Sequence, residues 1–182
     1  VNNKHKVEKM IVAASQTSYG EGLYKCQEHG IQHPGLRPAS QLKKHEWEHK
    51  CPVCSANMSA TPTSEDTERI CYAIYAQTKT HQEDLVLNIG KAYKIPAVAL
   101  RYFNIFGPRQ SLSNPYTGVG AIFMSRLKNG KRPVIYEEGK QSRDFISVHD
   151  IVQANMLAME NPNGDYQAFN VGSGKATSIE QI

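Results

Sequence analysis

Hydrophobic positions along the chain fall into short unbroken runs of strand length, separated by a segment with helical character. Residues 10–14 and 97–100 are two such runs, which are typical of buried strands in a parallel sheet. The helical segment between them begins near Ser64, passes through Leu85 and ends close to Pro96, which disfavours helix at the residue before it. The order strand, helix, strand predicts a right-handed parallel crossover.

The second half of the chain continues this alternation of helices and strands. A loop that contains Asn114 and Pro115 leads into a predicted helix, in which Ile122, Phe123 and Leu127 lie at core spacing. The predicted elements of this half are a helix over 120–128, strands over 134–136, 143–148 and 169–172, a helix from about 151 to 159 and the start of a helix at Ser178. The chain is therefore predicted to have an α/β fold.

Residues 21–63 interrupt the alternation. This segment has no apolar periodicity, and it contains four histidines, three of the four cysteines and several prolines. We interpret it as an insertion. Three cysteines gathered in one short segment indicate metal binding rather than disulfides.

Two pairs of residues in the insertion have the spacing of zinc ligands. Cys26 and His29 form one pair, and Cys51 and Cys54 form the other. Three thiolates and one imidazole would close a tetrahedral structural site and leave no open position for catalysis. A module this short cannot bury a large enough hydrophobic core to be stable without a bound metal or a similar cross-link.

Two alternatives to this metal site stay open. In the first, the four residues bind no metal and the segment is mobile. In the second, His33, His45 or His49 serves as a ligand in place of one of the four.

The bulk composition excludes several function classes. The chain has 182 residues, which fits one domain with a small appended module, and a formal net charge of +4. Lys43 and Lys44 are interleaved with Glu46 and Glu48, and no long basic run occurs, so a zinc-ribbon nucleic-acid binder ranks last among the interpretations. No apolar run approaches the roughly 20 residues of a membrane span. No signal peptide is recognised either, so a cytoplasmic location is expected.

Candidate chemistry centres on Tyr75 and Lys79 in the predicted helix. Residues four apart lie on one helix face, so the ammonium can sit beside the phenol. A cation in that place favours the ionised phenol, which can then act as a general base for a hydroxyl group. This spacing also arises by chance, and the alternative interpretation is a solvated helix surface.

Several further stretches, in a fixed order, accompany this pair. They are Val12 through Ser15 with Tyr19 and Gly20, Leu100 through Asn104 with Gly107 and Pro108, Gly139 through Phe145, and Asn170 through Gly174. With Tyr75 and Lys79, they resemble the extended short-chain dehydrogenases/reductases, specifically the NAD-dependent nucleotide-sugar epimerases and dehydratases. The resemblance covers nearly everything outside residues 21–63.

The resemblance implies a fold and a domain division. Residues 1–20 and 64–110 would be the catalytic part of a Rossmann-like, doubly wound parallel sheet, and 21–63 a zinc-ribbon-like insertion. Residues 111–182 would be part of a small α/β substrate-binding domain. The resemblance also implies a nucleotide-sugar substrate and a homodimer formed through the helix that bears the tyrosine and its neighbour.

Catalytic roles follow from the resemblance for three residues. Tyr75 would be the base, and Lys79 its partner, which also binds the nicotinamide ribose. Ser15, four residues before Tyr19, would hydrogen-bond the sugar oxygen that is oxidised. An alternative for Ser15 is that it only caps a helix.

Binding roles follow in the same way. Phe103 would lie against the cofactor and Asn104 against the substrate diphosphate, while Arg143 would be the phosphate ligand, a role suited to a guanidinium fork. The strand around Val134 and Ile135 would line the nucleotide base. The alternative for Arg143 is a local ion pair with the neighbouring aspartate.

The implied reaction is 4-epimerisation. Tyr75 would take the proton of the sugar C4 hydroxyl while hydride leaves C4 for NAD+, and the keto sugar would then receive the hydride on its other face. The family's 4,6-dehydratases need an added acid and base after the serine, where this chain has Gln16 and Thr17. Decarboxylases of the family usually have a glutamate where Thr17 stands. An epimerase is therefore favoured over a dehydratase.

The principal departure from the family is a missing glycine-rich turn. A dinucleotide site needs an early Gly-x-x-Gly-x-x-Gly turn that meets the pyrophosphate, and none occurs here. We expect most of the NAD site to precede Val1, so that the chain is a piece of an epimerase. The rival interpretation is a non-catalytic, zinc-stabilised module for nucleotide-sugar binding or assembly.

Overall fold

The computed structural model describes residues 3–112 and 118–182. The strands are β1 (Met10–Ser15), β2 (Leu23–Cys26), β3 (Gly30–Gln32), β4 (Ser59–Thr61), β5 (Ala97–Tyr102), β6 (Asn104–Phe106), β7 (Ser142–Ser147), β8 (Gln167–Val171) and β9 (Ala176–Ser178). The α-helices are α1 (Ala39–Leu42), α2 (Ile74–Tyr93), α3 (Val119–Lys128) and α4 (Val148–Glu160). The predicted loop residues Asn114 and Pro115 lie outside the described part of the chain.

The chain forms two compact units. The smaller unit comprises residues 16–78, and the larger unit combines the described part of 1–15 with 79–182. Helix α2 begins in the smaller unit and continues in the larger unit. Among the described residues, no helix is both long and apolar enough to cross a membrane.

A parallel sheet with the order β1-β5-β8 forms the centre of the larger unit. Its middle strand is buried, with Ala97, Val98 and Ala99 at 0% exposure and Leu100 at 3%. A parallel strand covered on both faces must be apolar at every position rather than at alternate ones, which explains the unbroken run of β5. Strand β1 is buried only at Ala14 and Ser15 and exposed at Ala13, so its predicted burial was wrong over most of its length. The predicted α/β fold and the parallel pairing of β1 with β5 are confirmed.

Helix α2 packs against β5 through a glycine. A Cβ atom on Gly90 would lie 2.6 Å from the Ala97 Cβ and 2.8 Å from the Ile95 carbonyl oxygen. The Ile95 N–H donates to the Gly90 carbonyl (2.9 Å), and Lys94 adopts a φ of 54° at the helix end. The absence of a side chain therefore sets how closely this helix approaches the sheet.

The start of α2 differs from the prediction. Residues near Ser64 form a turn, in which the Thr67 N–H donates to the Ser64 carbonyl (3.1 Å) and the two hydroxyl oxygens lie 3.4 Å apart. The helix begins only at Ile74. A serine that bonds locally stabilises a turn as readily as a helix start, so the predicted start was wrong while the predicted end was right.

A second sheet in the larger unit has the order β6-β7-β9, with β6 parallel and β9 antiparallel to β7. No strand forms at residues 134–136, contrary to the prediction. Instead a turn with Glu137 at φ 54° and Gly139 at φ 71° follows, and the Gln141 side chain donates to the Tyr136 carbonyl (3.1 Å). Val134 and Ile135 are each 47% exposed, because this turn leaves no neighbouring strand to cover them.

Of the three residues of α3 predicted to face the core, Phe123 is confirmed and Ile122 and Leu127 are wrong. Ala121 (1% exposed) and Phe123 (8%) are buried, whereas Ile122 (40%) and Leu127 (61%) are exposed. The prediction weighted large apolar side chains, but the residue closest to the core is the small Ala121.

The smaller unit contains an antiparallel sheet with the order β3-β2-β4. Its buried cluster consists of Cys26, Cys51 and Met58, with Tyr24 packed against them. Two of these four residues are predicted metal ligands, so apolar burial alone holds little of this sheet.

Gly90→Ala should destabilise the chain although alanine favours helix by about 1 kcal/mol over glycine. The added methyl group would meet β5 and its carbonyl, and overpacking of this kind costs about 1–3 kcal/mol. The matched control is Gly120→Ala in α3, where nothing lies within 4 Å of the added Cβ. Urea unfolding should show a lower midpoint for the first variant and an equal or higher one for the second. Equal midpoints for both variants would contradict the close contact.

Candidate functional site

The first candidate residue, Tyr75, lies in the first turn of α2 and is 57% exposed. Lys79 follows one turn later on the same helix face. Its ammonium donates a hydrogen bond to the Ala13 carbonyl at 2.9 Å. Since Ala13 is on β1, two residues before Ser15 at the carboxyl end of that strand, the structure brings the Lys79 charge to the strand that bears Ser15.

Ser15 is buried (9% exposed) and pairs in register with Tyr102 on β5. A 3-10 helix, Gln16–Tyr19, follows it directly and buries Ser18 and Tyr19. Ser15 thus lies at the carboxyl edge of a parallel sheet, where ligands bind in α/β folds. Its placement just before a short helix leaves the capping alternative open as well.

A buried ion pair fixes α2 to β5 one turn beyond Lys79. The Arg101 guanidinium donates from Nε to Glu83 Oε2 (3.0 Å) and from Nη2 to Glu83 Oε1 (2.5 Å). The two side chains are 7% and 3% exposed. Sequence reasoning missed this pair, although an arginine in an otherwise apolar strand and a glutamate four residues after Lys79 were available as signals.

The residues after β5 are placed as follows. The Phe103 N–H donates to the Val171 carbonyl (3.1 Å), and its ring packs against the main core. The Asn104 amide donates to the Asp144 carbonyl (3.2 Å). Both side chains therefore have structural partners, and their predicted cofactor and diphosphate roles stay predictions.

Arg143 and Asp144 have separate partners. The exposed Arg143 donates to the Ser142 carbonyl at 2.7 Å. Asp144 Oδ1 accepts from the Ser173 N–H (2.8 Å) and hydroxyl (2.7 Å), and Oδ2 accepts from the Gly174 N–H (2.7 Å). The aspartate thus holds the loop after β8, a role that sequence reasoning missed. The phosphate role of Arg143 stays a prediction.

The predicted metal ligands come together in the smaller unit. The ligand atoms of Cys26, His29, Cys51 and Cys54 all lie within 4.8 Å of one another. Sγ of Cys26 is 3.6 Å from His29 Nδ1 and 3.7 Å from Cys54 Sγ, and Cys51 Sγ is 3.7 Å from the same histidine nitrogen. We call these four residues the Cys/His cluster.

The histidines outside the cluster have other partners. His33 Nε2 lies 2.8 Å from the Tyr19 carbonyl, His49 Nε2 lies 3.0 Å from Glu21 Oε2, and His45 stacks on Trp47. The structure therefore groups His29, and none of the three alternative histidines, with the cysteines.

Electrostatics in the cluster favour one thiolate. Hydrogen bonding from the His29 side chain and backbone lowers the pKa of Cys26 to about 6. For Cys54, the Ala56 N–H favours the thiolate, but desolvation and the sulfur atoms of Cys26 and Cys51 raise its pKa on balance. Adjacent thiols resist joint ionisation unless a cation is present.

The sequence is similar to known proteins of one family. Over residues 53–172 the sequence matches the model of the NAD dependent epimerase/dehydratase family. It is 35% identical over 175 residues to a dTDP-L-rhamnose 4-epimerase of Burkholderia thailandensis, covering 95% of this chain and 46% of that protein. It is 39% identical over 129 residues to a UDP-N-acetyl-alpha-D-glucosaminuronate decarboxylase of Bacillus cytotoxicus, covering 66% of this chain and 39% of that protein.

The fold also matches a solved structure. This is UDP-N-acetylglucosamine 4-epimerase from Methanobrevibacter ruminantium M1 in complex with UDP-N-acetylmuramic acid, with a TM-score of 0.72 and 30% identity, covering 98% of this chain and 46% of that one. The chain therefore spans less than half the length of each of these three proteins.

Glu83→Gln should lower the free energy of unfolding by about 3 kcal/mol, because it leaves the buried Arg101 charge uncompensated. The control is the same substitution at Glu138, whose pair with Lys140 is exposed, where a loss of no more than about 1 kcal/mol is expected. Chemical denaturation of both variants measures the difference. A loss at Glu83 no larger than at Glu138 would show that the buried pair does not stabilise the fold.

Proposed function

This chain belongs to the NAD dependent epimerase/dehydratase family, and on that premise we propose that it forms the catalytic and substrate-binding part of a nucleotide-sugar 4-epimerase. The observation that carries the proposal is the bond from Lys79 to the Ala13 carbonyl. This bond brings the Lys79 ammonium to β1, two residues before Ser15, and Tyr75 precedes Lys79 by one turn of the same helix.

The proposed chemistry uses these three side chains. An ammonium has three N–H donors; one is bonded to Ala13, and the others suit the Tyr75 phenolate and a ribose hydroxyl. Tyr75 takes the proton from the sugar C4 hydroxyl and later returns it. The Ser15 hydroxyl bonds the same sugar oxygen and holds C4 in position for the reaction.

The residues present fit the nicotinamide end of NAD and not the pyrophosphate end. Lys79 supplies a ribose donor, and Phe103 follows the carboxyl end of β5, but the sequence contains no Gly-x-x-Gly-x-x-Gly turn. When bound, NAD supplies the acceptor and donor of hydride.

Two residues favour epimerisation over the other reactions of the family. Gln16 and Thr17 follow Ser15 directly in the 3-10 helix, and neither can act as the carboxylic acid or base that an elimination of water requires. The 4-epimerases among the similar proteins support this choice. The similarity to a decarboxylase makes loss of carbon dioxide the main competing outcome.

The proposed assembly is a homodimer through α2. Leu85 (60% exposed) and Ile89 (42%) are four residues apart and form an apolar stripe on this helix. Such a stripe on a helix is suited to pack against a second copy.

Tyr75→Phe should lower kcat by about 10²–10⁴-fold, the usual contribution of a general base, with little change in the affinity for the nucleotide sugar. Tyr93→Phe, at the other end of the same helix, is the control and should retain turnover. Both are made in the full-length enzyme supplied with NAD+. Turnover of Tyr75→Phe equal to that of the control would remove Tyr75 from the role of base.

Product analysis separates the competing reactions. UDP-linked and dTDP-linked hexoses, with a UDP-hexuronic acid, are incubated with the enzyme and followed by NMR. An inverted C4 centre with no loss of water or carbon dioxide is expected. A 4-keto-6-deoxy product or a decarboxylated pentose would identify a dehydratase or a decarboxylase instead, and binding without any conversion would identify a non-catalytic module.

A further inference from the structure

We propose that the Cys/His cluster binds one structural zinc ion, which closes the smaller unit and holds the segment that follows Ser15. The proposal goes beyond the sugar chemistry, because the cluster comprises none of the residues assigned to the reaction.

Three of the six separations among the four donor atoms fit the edges of a tetrahedral site, and all six are within 4.8 Å. With Zn–S near 2.3 Å and Zn–N near 2.0–2.1 Å, two ligands at the corners of a tetrahedron lie about 3.6–3.8 Å apart. The sulfur–nitrogen separations of 3.6 and 3.7 Å and the sulfur–sulfur separation of 3.7 Å match these edges.

The two halves of the site have the same backbone form. Each ligand pair spans a turn, and the residue after its second ligand is left-handed: Gly30 has a φ of 66° and Ser55 a φ of 59°. In the second half the Ser55 N–H donates back to the Cys51 carbonyl (2.9 Å). A non-glycine residue in this conformation is uncommon, and the repetition points to two knuckles built to hold one ion.

The donor set selects the metal. Three soft thiolates and an imidazole are a ligand set typical of zinc. The main alternative for such ligands is an iron–sulfur cluster. Four protein ligands leave no coordination position for water or substrate. The site is therefore structural, and the metal takes no part in hydride transfer.

The sheet around the cluster needs this support. Cys26 (1% exposed) and Cys51 (2%) are themselves two of the three residues in the buried cluster of the smaller unit. Strands of three or four residues with so small an apolar core are marginal in water. In the absence of a metal, the thiols and the imidazole would be poor substitutes for packed side chains.

Polar contacts connect the insertion to the segment after Ser15. His49 is buried (6% exposed) and bonded to Glu21, while the His33 ring donates to the Tyr19 carbonyl. The ring of His49 also lies 4.5 Å from that of Tyr24, in the strand that carries Cys26. Closing the metal site therefore fixes residues 19–21.

Metal analysis tests the proposal. The protein purified under reducing conditions should contain about one zinc ion per chain, and cobalt replacement should give the absorption of a tetrahedral thiolate complex. Cys54→Ser is the principal variant, because Cys54 is exposed and serine there disturbs little packing. It should lose the bound zinc, whereas Cys71→Ser, at the one cysteine outside the cluster, should retain it.

Further readouts separate this proposal from that for the enzyme. Tyr75→Phe should keep its zinc, and removal of zinc by a chelator should increase protease cleavage within residues 21–63. Zinc content near zero after reconstitution with zinc under reducing conditions would overturn the proposal. So would iron as the bound metal, a disulfide between the clustered cysteines, or equal zinc content in Cys54→Ser and the wild type.

Discussion

The arrangement at the candidate site depends on how α2 is held against the parallel sheet. Two successive turns of that helix reach into the sheet, through Lys79 to the backbone of β1 and through Glu83 to Arg101 on β5. Each residue turns an α-helix by about 100°, so a slip of one residue would turn Lys79 away from β1. The buried bidentate pair admits one register, and its geometric specificity matters more here than its net energy.

The glycine at the far end of α2 completes this constraint. At Gly90 the helix backbone reaches van der Waals contact with β5, while the charged pair holds the middle of the helix. One contact sets the distance between helix and strand and the other sets the rotation. Together they hold the part of α2 from Lys79 to Gly90 against the sheet.

Sequence patterns predicted the parts of the fold in which one physical requirement dominates. Strand β5 was evident because a buried parallel strand must be apolar throughout, the same apolar pattern located β1, and Pro96 marked the end of α2. The start of α2, the absent strand at 134–136 and the exposure of Ile122 and Leu127 on α3 were not predicted correctly. These features depend on local hydrogen bonds at Ser64, on the turn at Gly139 and on the small size of Ala121. Hydrophobic periodicity contains no information about any of the three.

The same distinction applies to the sites. The Cys/His cluster was predictable because its ligand spacing is short and specific, and the family was confirmed from motifs spread along the chain. The partnership of Glu83 with Arg101 and the bonds from Asp144 to the loop after β8 connect residues distant in sequence. An arginine in an apolar strand indicates that a buried partner is needed, but the sequence does not say which residue it is, and the roles of Ser15, Tyr75 and Arg143 stay predictions.

The pairing of β2 with β4 explains how so long a segment can separate Ser15 from Tyr75 along the chain. Leu23, near the beginning of this segment, is the antiparallel neighbour of Thr61, near its end. The two ends of the segment therefore lie side by side in one sheet. Loop-closure entropy rises by only about 0.6 kcal/mol for each doubling of loop length, and a segment folded upon itself adds less. The segment between Leu23 and Thr61 therefore begins and ends at neighbouring positions of one sheet, as a short hairpin would.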